Sequence, residues 1–99
     1  MADRNIFPPT FAHSKLAATA TTTVKSGSGI LHAIVINKAG ASSNTCTVYD
    51  NTAGSGTKIG AIDTVELNGR TLTYDVRFAT GLTVVLATGT PADITVCYS

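Results

Sequence analysis

Residues 71–98 alternate apolar and polar side chains almost without interruption. Within 71–78 every second residue is apolar, namely Leu72, Tyr74, Val76 and Phe78. A side-chain period of two is typical of a half-buried β-strand. The pattern resumes at 82–86 and at 94–98, so we expect three short strands of an antiparallel scaffold. Nothing in this block resembles a catalytic device, which favours a structural or binding module over an enzyme.

Length and composition predict a single all-β domain. The chain has 99 residues, enough for one domain with one core. Threonine occurs 17 times, whereas leucine, glutamate and glutamine are scarce. This balance suits strands and turns better than helices.

The charge of the chain is low and dispersed. Seven basic residues are scattered singly and six acids nearly cancel them, leaving a formal net charge of +1. A nucleic-acid partner is therefore not expected, because binding phosphates requires several cations on one surface. Charged residues make up 13% of the chain, against about 25% in typical soluble domains. This neutrality indicates a surface covered by neighbours in an assembly, although exposed threonine and serine explain solubility equally well.

No segment has the pattern of a membrane span or a signal peptide. Asp3, Arg4 and the Pro8-Pro9 pair stand where an apolar signal segment would lie, so we expect synthesis in the cytoplasm and no membrane partner. In a reducing compartment, Cys46 and Cys97 are expected to be small buried apolar side chains. Whether they pair stays open at this point.

Residues 1–16 differ from the rest and predict an extended N-terminal arm preceding a domain at 17–99. Ile6, Phe7 and Phe11 flank Pro8 and Pro9, which resist helix formation. Such an arm either wraps its own domain or reaches another subunit. We expect these five residues to form the partner-binding site.

The middle of the chain predicts further strands. A first strand is expected at 16–24, and residues 30–37 are apolar on both faces apart from His32, which indicates a central strand covered on both sides. A third strand at 45–50 leads into a glycine-rich hairpin loop at 51–56.

The segment 57–67 is long for one strand, and its alternation slips near Gly60, which predicts a bulge or a break. Asn68-Gly69 predicts a type I′ turn that joins the preceding strand to the following one as a hairpin. Seven or eight strands at this spacing favour an antiparallel two-sheet β-sandwich, jelly-roll-like or immunoglobulin-like.

The fragments that imitate catalytic or ligand motifs are weak. Residues 54–58 contain the glycines and lysine of a phosphate loop, but in the wrong order and with no following helix. His32 is expected to be a core or interface imidazole with one hydrogen bond, and His13 lies in the arm. The histidines and cysteines lack the close spacing of zinc ligands. We therefore expect no catalytic residue, metal, cofactor or small-molecule substrate.

Four segments carry a resemblance to a known class of proteins. They are KSGSGILH at 25–32, TVYDNTAGSGT at 47–57, YDVRF at 74–78 and GLTVV at 81–85. They resemble small β-sandwich proteins of tailed-bacteriophage virions, over roughly residues 19–98. The resemblance implies a structural virion protein of the head-decoration, or capsid cement, type. It implies the major capsid protein as partner, a homo-oligomer, with a trimer favoured, and a place on the capsid exterior.

A receptor- or carbohydrate-binding module of a phage tail or fibre is the alternative. It would place its specificity in loops at one end of the sandwich, chiefly 40–44 and 51–56. Their residues are small and polar and include no aromatic side chain, which makes a poor ligand pocket.

Overall fold

Eight β-strands and one 3-10 turn make up the part of the chain that the structure, a computed structural model, describes, residues 11–99. The strands are β1 (Ala12–Leu16), β2 (Ala20–Ser26), β3 (Gly29–Lys38), β4 (Thr45–Asp50), β5 (Thr57–Asp63), β6 (Thr71–Phe78), β7 (Gly81–Ala87) and β8 (Asp93–Tyr98). The 3-10 turn, Thr64–Glu66, lies between β5 and β6. The prediction of an all-β chain is confirmed.

The strands form two four-stranded antiparallel sheets. The first sheet has the order β1-β8-β3-β6 and the second the order β2-β7-β4-β5. Apolar side chains from both sheets form one buried cluster. Its fully buried members are Leu31, Ile34, Ile36, Cys46, Val48, Phe78, Leu82, Val84, Ala92, Ile94 and Val96. The expectation of two antiparallel sheets around a common core is thus confirmed as a sandwich-like fold.

The best-patterned third of the sequence behaves as its alternation predicts. Leu72, Tyr74 and Val76 of β6 pack against the core, and Phe78 is fully buried. β6, β7 and β8 follow one another along the chain, but β6 and β8 belong to the first sheet and β7 to the second. The chain therefore crosses between the sheets at each of these connections.

The prediction of a hairpin at Asn68-Gly69 is wrong. The amide of Arg70 donates to the Leu67 carbonyl across 3.0 Å, so a turn is present. Only Gly69 has a positive φ, at 76°, whereas a type I′ turn requires it at both central residues. The strands on either side, β5 and β6, lie in different sheets. The turn redirects the chain from one sheet to the other, and Gly69 also donates its amide to the Ile36 carbonyl.

The sheet begins earlier than the predicted boundary between arm and domain. Ala12–Leu16 forms β1, which pairs with β8 from Ala12 opposite Tyr98 to Leu16 opposite Ile94. The strand predicted at 16–24 is in fact divided between β1 and β2. Local sequence missed β1 because β8, its pairing partner, lies about 80 residues later in the chain.

β3 is a central strand, as predicted, with β8 on one side and β6 on the other. Its expected coverage on both faces is wrong. Leu31, Ile34 and Ile36 are fully buried in the core, but Ile30 on the opposite face is 37% exposed. The outer face of the first sheet therefore presents apolar side chains that no second layer of residues 11–99 covers.

The hairpin predicted around 51–56 and the irregularity predicted near Gly60 are both confirmed. β4 and β5 pair from Asp50 opposite Thr57 onward, and their register shifts between Val48 and Tyr49. A Cβ atom at Gly60 would lie 2.5 Å from the Tyr74 hydroxyl oxygen. The missing side chain at Gly60 leaves room for the end of the Tyr74 side chain, which reaches across the sandwich from β6.

The two ends of the sandwich are closed by different polar contacts. At one end, the Asp50 carboxylate accepts hydrogen bonds from the amides of Ala79 and Thr80, the nearest at 2.8 Å, and holds the β6–β7 connection. At the other end, Asn44 is fully buried and joins three segments: the β3–β4 loop, the 3-10 turn and the β7–β8 loop. We call these the Asp50 end and the Asn44 end.

Candidate interaction surface

Large apolar side chains are exposed at three positions of the described chain. Phe11 is 40% exposed, and Ile30 and Val65 are each 37% exposed. Phe11 and Ile30 lie towards the Asp50 end of the first sheet, whereas Val65 lies in the 3-10 turn at the Asn44 end. We call Phe11, Ile30 and His32 the Phe11 patch.

Phe11 stacks on His32. Their ring centroids are 4.3 Å apart and the ring planes are inclined by only 5°. Phe11 directly precedes β1, whereas His32 lies on β3, and β8 separates the two strands. The residue at the start of the described chain therefore lies across the outer face of the first sheet, above β8.

Asp75 on the neighbouring strand β6 fixes the His32 ring. The His32 Nδ1 and Asp75 Oδ1 atoms are 2.5 Å apart. The prediction that His32 makes one hydrogen bond is confirmed. Its ring lies on the outer face, with 37% of the side chain exposed, so the core alternative is wrong and the interface alternative stays a prediction. Sequence alone gave no signal for this pair, since 43 residues separate the partners.

A β-bulge creates the geometry of the His32–Asp75 pair. Leu31 lies opposite Val76 and Ala33 opposite Thr73, so two residues of β6 face the single residue His32. Asp75 adopts a left-handed backbone with φ of 50°. Aspartate tolerates this conformation better than most residues, yet it carries a backbone cost. The strain is located at the residue that holds the ring under Phe11.

A cleft of about 290 Å³ lies beside the Phe11 patch. Its lining residues are Lys25, Ser28, Gly29, Ile30, Arg77 and Ser99. Gly29 is required at its base, because a Cβ atom there would clash with the Ser99 carbonyl oxygen and would lie 2.7 Å from the Phe78 ring. Ile30 belongs to both the patch and the cleft, which makes the two features one continuous surface.

The predicted site residues are only partly within the described chain. Ile6, Phe7, Pro8 and Pro9 lie outside residues 11–99. Phe11 is described and is exposed at the end of that chain. Ile30, Lys25 and Arg77 were not predicted as site residues. Ile30 was predicted to lie in a strand covered on both sides. Lys25 and Arg77 are isolated cations in the sequence, and nothing near either residue indicates that the two come together in the fold.

The loops proposed for ligand recognition do not share an end of the sandwich. Residues 40–44 precede β4 and residues 51–56 follow it, so they lie at opposite ends of that strand. The second loop folds back on the outer face of the second sheet, where its Thr52 carbonyl accepts a hydrogen bond from the Thr23 hydroxyl. The expectation of one recognition end built from these two loops is therefore wrong.

Both cysteines are free. Cys46 is fully buried in the core, where desolvation raises the pKa of its thiol to about 12. Cys97 is half-buried on β8, opposite His13 of β1. The two thiols therefore belong to different sheets and different environments.

Within residues 11–99, no group of three or more histidine, cysteine, aspartate or glutamate side chains is arranged to hold a metal ion. The same residues contain no helix long and apolar enough to cross a membrane.

Comparison with known proteins gave no match to a protein family, to a curated sequence or to a solved structure.

Proposed function

We propose that this chain is a non-enzymatic structural protein of a tailed-bacteriophage virion, a decoration protein that binds the major capsid protein on the capsid exterior. The observation that carries the proposal is the Phe11 patch. Phe11 and Ile30 remain exposed on the outer face of the first sheet, where the chain enters its first strand. Residues 1–10 would continue the same apolar surface onto a neighbouring subunit.

The order of the strands supports the jelly-roll type of sandwich. β4 and β5 pair as a hairpin, and β3 pairs with β6, β2 with β7 and β1 with β8. This pairing arises when the chain forms one long hairpin, with the β4–β5 connection as its turn, and the hairpin folds into two sheets. It is the arrangement of an eight-stranded jelly roll. Viral capsid proteins and lectins both use this architecture, so the fold does not by itself select a function. Support for a docking role comes instead from the exposed apolar side chains of Phe11 and Ile30.

Binding of this kind would stabilise the capsid shell by linkage. A protein that binds the assembled shell and not its separate subunits lowers the free energy of the assembled state. Ile6, Phe7 and Phe11 would be the apolar anchors, with Pro8 and Pro9 keeping the segment extended. Because proline restricts the backbone of an unbound chain, a segment that contains Pro8 and Pro9 would lose less conformational entropy on docking. A homotrimer would present three such segments to adjacent capsid subunits.

Capsids that lack this chain provide the test. Purified full-length protein and a variant without residues 2–10 are added to expanded capsids, and occupancy and heat resistance are measured. The deletion leaves β1 intact, because pairing begins at Ala12. We expect the full-length protein to saturate the capsid and raise its disruption temperature, and the deletion variant to do neither. Equal occupancy and heat resistance for both proteins would refute the role of the N-terminal segment.

A matched pair of substitutions separates the patch from general surface hydrophobicity. Ile30→Ser and Val65→Ser each replace an apolar side chain that is 37% exposed, but at opposite ends of the sandwich. We expect Ile30→Ser to weaken capsid binding by about tenfold, the effect of losing roughly 1.4 kcal/mol at an interface. Val65→Ser should bind as the unmodified protein does. Similar affinities for the two variants would place the interface elsewhere.

A further inference from the structure

We infer that the cleft beside the Phe11 patch binds a carboxylate group, presented by an acidic side chain of the protein on which this chain docks. The inference deepens the proposed docking role and rests on it. It names the chemical group that the cleft recognises, and it assigns functions to Lys25 and Arg77, which the apolar patch does not use.

Two cations from different sheets line this one cleft. Lys25 belongs to β2 in the second sheet and Arg77 to β6 in the first. Within residues 11–99, neither forms an ion pair with an aspartate or a glutamate, whereas Lys15 pairs with Asp93 at 3.2 Å. The carboxylate nearest to Arg77 along β6 is that of Asp75, which is already bonded to His32. Ser99 also lines the cleft, and even with a charged carboxyl group on that residue the two cations leave the lining with a net positive charge.

A bulge in β2 directs Lys25 into the cleft. The register of β2 with β7 shifts between Thr23 and Lys25, so Lys25 lies opposite Leu82, whose side chain is buried in the core. Lys25 consequently turns towards the open end of the sandwich, where its Nζ atom lies 3.0 Å from the position that a Gly29 Cβ would take. Bulges often redirect a side chain at a functional position.

The donors that remain in the cleft suit a carboxylate better than a phosphate. Phosphate sites usually gather free backbone amides. Here the amide of Gly27 donates to the Thr80 carbonyl, and the amide of Ile30 donates to the Ser99 carbonyl at 3.1 Å. The side-chain donors of the cleft are the guanidinium of Arg77, the ammonium of Lys25 and the hydroxyl of Ser28. An arginine fork matches the two oxygens of a carboxylate.

The size of the cleft agrees with a side chain as its ligand. Its volume of about 290 Å³ falls at the lower limit of pockets that hold drug-sized molecules, roughly 300 Å³. Ile30 forms one wall and continues into the Phe11 patch. An acidic residue adjacent to apolar residues on the partner would thus contact the cleft and the patch together, and the ion pairs would fix the register of docking.

NMR titration of the isolated full chain tests the inference without a capsid. The probes are N-acetyl-glutamate methylamide, the corresponding blocked glutamine and inorganic phosphate, all at low ionic strength. We expect the blocked glutamate to shift the amide signals of Ser28 and Gly29 and the Arg77 Nε signal saturably, and the glutamine to shift none of them. Lys25→Met and Arg77→Gln should each weaken this binding by about two- to fivefold, as expected for exposed ion pairs.

Matched variants at distant positions serve as controls. Lys58→Met and Arg70→Gln remove the same charges from β5 and from the turn before β6 and should leave the titration unchanged. If the control variants weaken glutamate binding as much as Lys25→Met and Arg77→Gln do, the binding depends only on net charge and the proposed site is wrong. The absence of saturable shifts with the blocked glutamate would also overturn the site. Saturation by phosphate alone would overturn the choice of a carboxylate. Because no capsid is present, these results are independent of the deletion of residues 2–10, which tests the docking role itself.

Discussion

Replacement of Asn44 by alanine should remove the main polar junction at one end of the sandwich. The Asn44 Nδ2 donates to the carbonyl oxygens of Ala87 at 3.1 Å and Thr88 at 2.9 Å. Its Oδ1 accepts from the Thr64 hydroxyl at 2.8 Å and from the Ala92 amide at 3.1 Å. One fully buried side chain thus connects three separate segments of the chain.

The cost of Asn44→Ala depends on which partners can find a replacement. Ala92 is fully buried, so its amide would lose its partner, at about 1–3 kcal/mol. Thr64 keeps a second acceptor, the Asn44 carbonyl, and loses roughly one ordinary hydrogen bond of about 1 kcal/mol. The carbonyls of Ala87 and Thr88 are closer to solvent and add about 1 kcal/mol together. We expect a total loss of about 3–5 kcal/mol in the free energy of unfolding.

Urea denaturation measures this loss directly. With an m-value of about 1.5 kcal/mol/M, the midpoint should fall by about 2–3 M while the m-value stays constant. The matched control is Asn37→Ala, which removes an amide that donates to Thr95 at 2.9 Å on the exposed outer face. That variant should lose less than about 1 kcal/mol. Equal midpoints for the two alanine variants would refute the structural importance of the Asn44 junction.

Three further predictions concern pH, packing and thiol reactivity. Hydrogen bonds from the backbone amides, that of Ala79 foremost, lower the pKa of Asp50. The contribution of Asp50 to stability is therefore complete above the pKa of the unfolded state and is lost as the pH falls through the lower pKa of the folded state. Asp50→Asn should lower the melting temperature at pH 7, and the melting temperature of this variant should fall less steeply below pH about 4. An equally steep acid decline in the variant would contradict this. Gly60→Ala should lower the free energy of unfolding, measured by urea denaturation, by about 1–3 kcal/mol, because the new methyl group would lie 2.5 Å from the Tyr74 hydroxyl oxygen. Adding Tyr74→Phe to this variant should recover part of the loss. If the losses of the two single variants simply add in the double variant, there is no such clash. Iodoacetamide at pH 8 should modify Cys97 well before Cys46, because burial raises the pKa of the Cys46 thiol to about 12. Mass spectrometry measures the rate of modification at each cysteine. Faster modification of Cys46 than of Cys97 would be inconsistent with the place of Cys46 in the core.

Strands with strong alternation could be predicted from the sequence, but their partners could not. Leu72, Tyr74 and Val76 contact the core as their spacing predicts. The Asn68-Gly69 dipeptide has the local composition of a hairpin turn, yet only Gly69 has a positive φ. A glycine satisfies several turn types, so the dipeptide indicates a change of direction without specifying the strand that pairs next.

The candidate interaction surface was less predictable than the fold. Phe11 was predicted as a site residue because it follows two prolines and has few apolar neighbours in the sequence, and its side chain is exposed in the structure. The His32–Asp75 pair and the cleft of Lys25 and Arg77 depend on bulges that shift the register of β3 with β6 and of β2 with β7. A single bulge changes which face of a strand a side chain occupies, and neither bulge itself contains a glycine that would mark it in the sequence.

Cryo-electron microscopy of the virion that carries this chain tests the proposed function most directly. The account predicts density for this β-sandwich on the outer surface of the capsid, with the Phe11 patch and residues 1–10 in contact with the major capsid protein. Density for the chain in the tail or a fibre would contradict the account. Density on the capsid with the Phe11 patch facing solvent would contradict the proposed mode of binding.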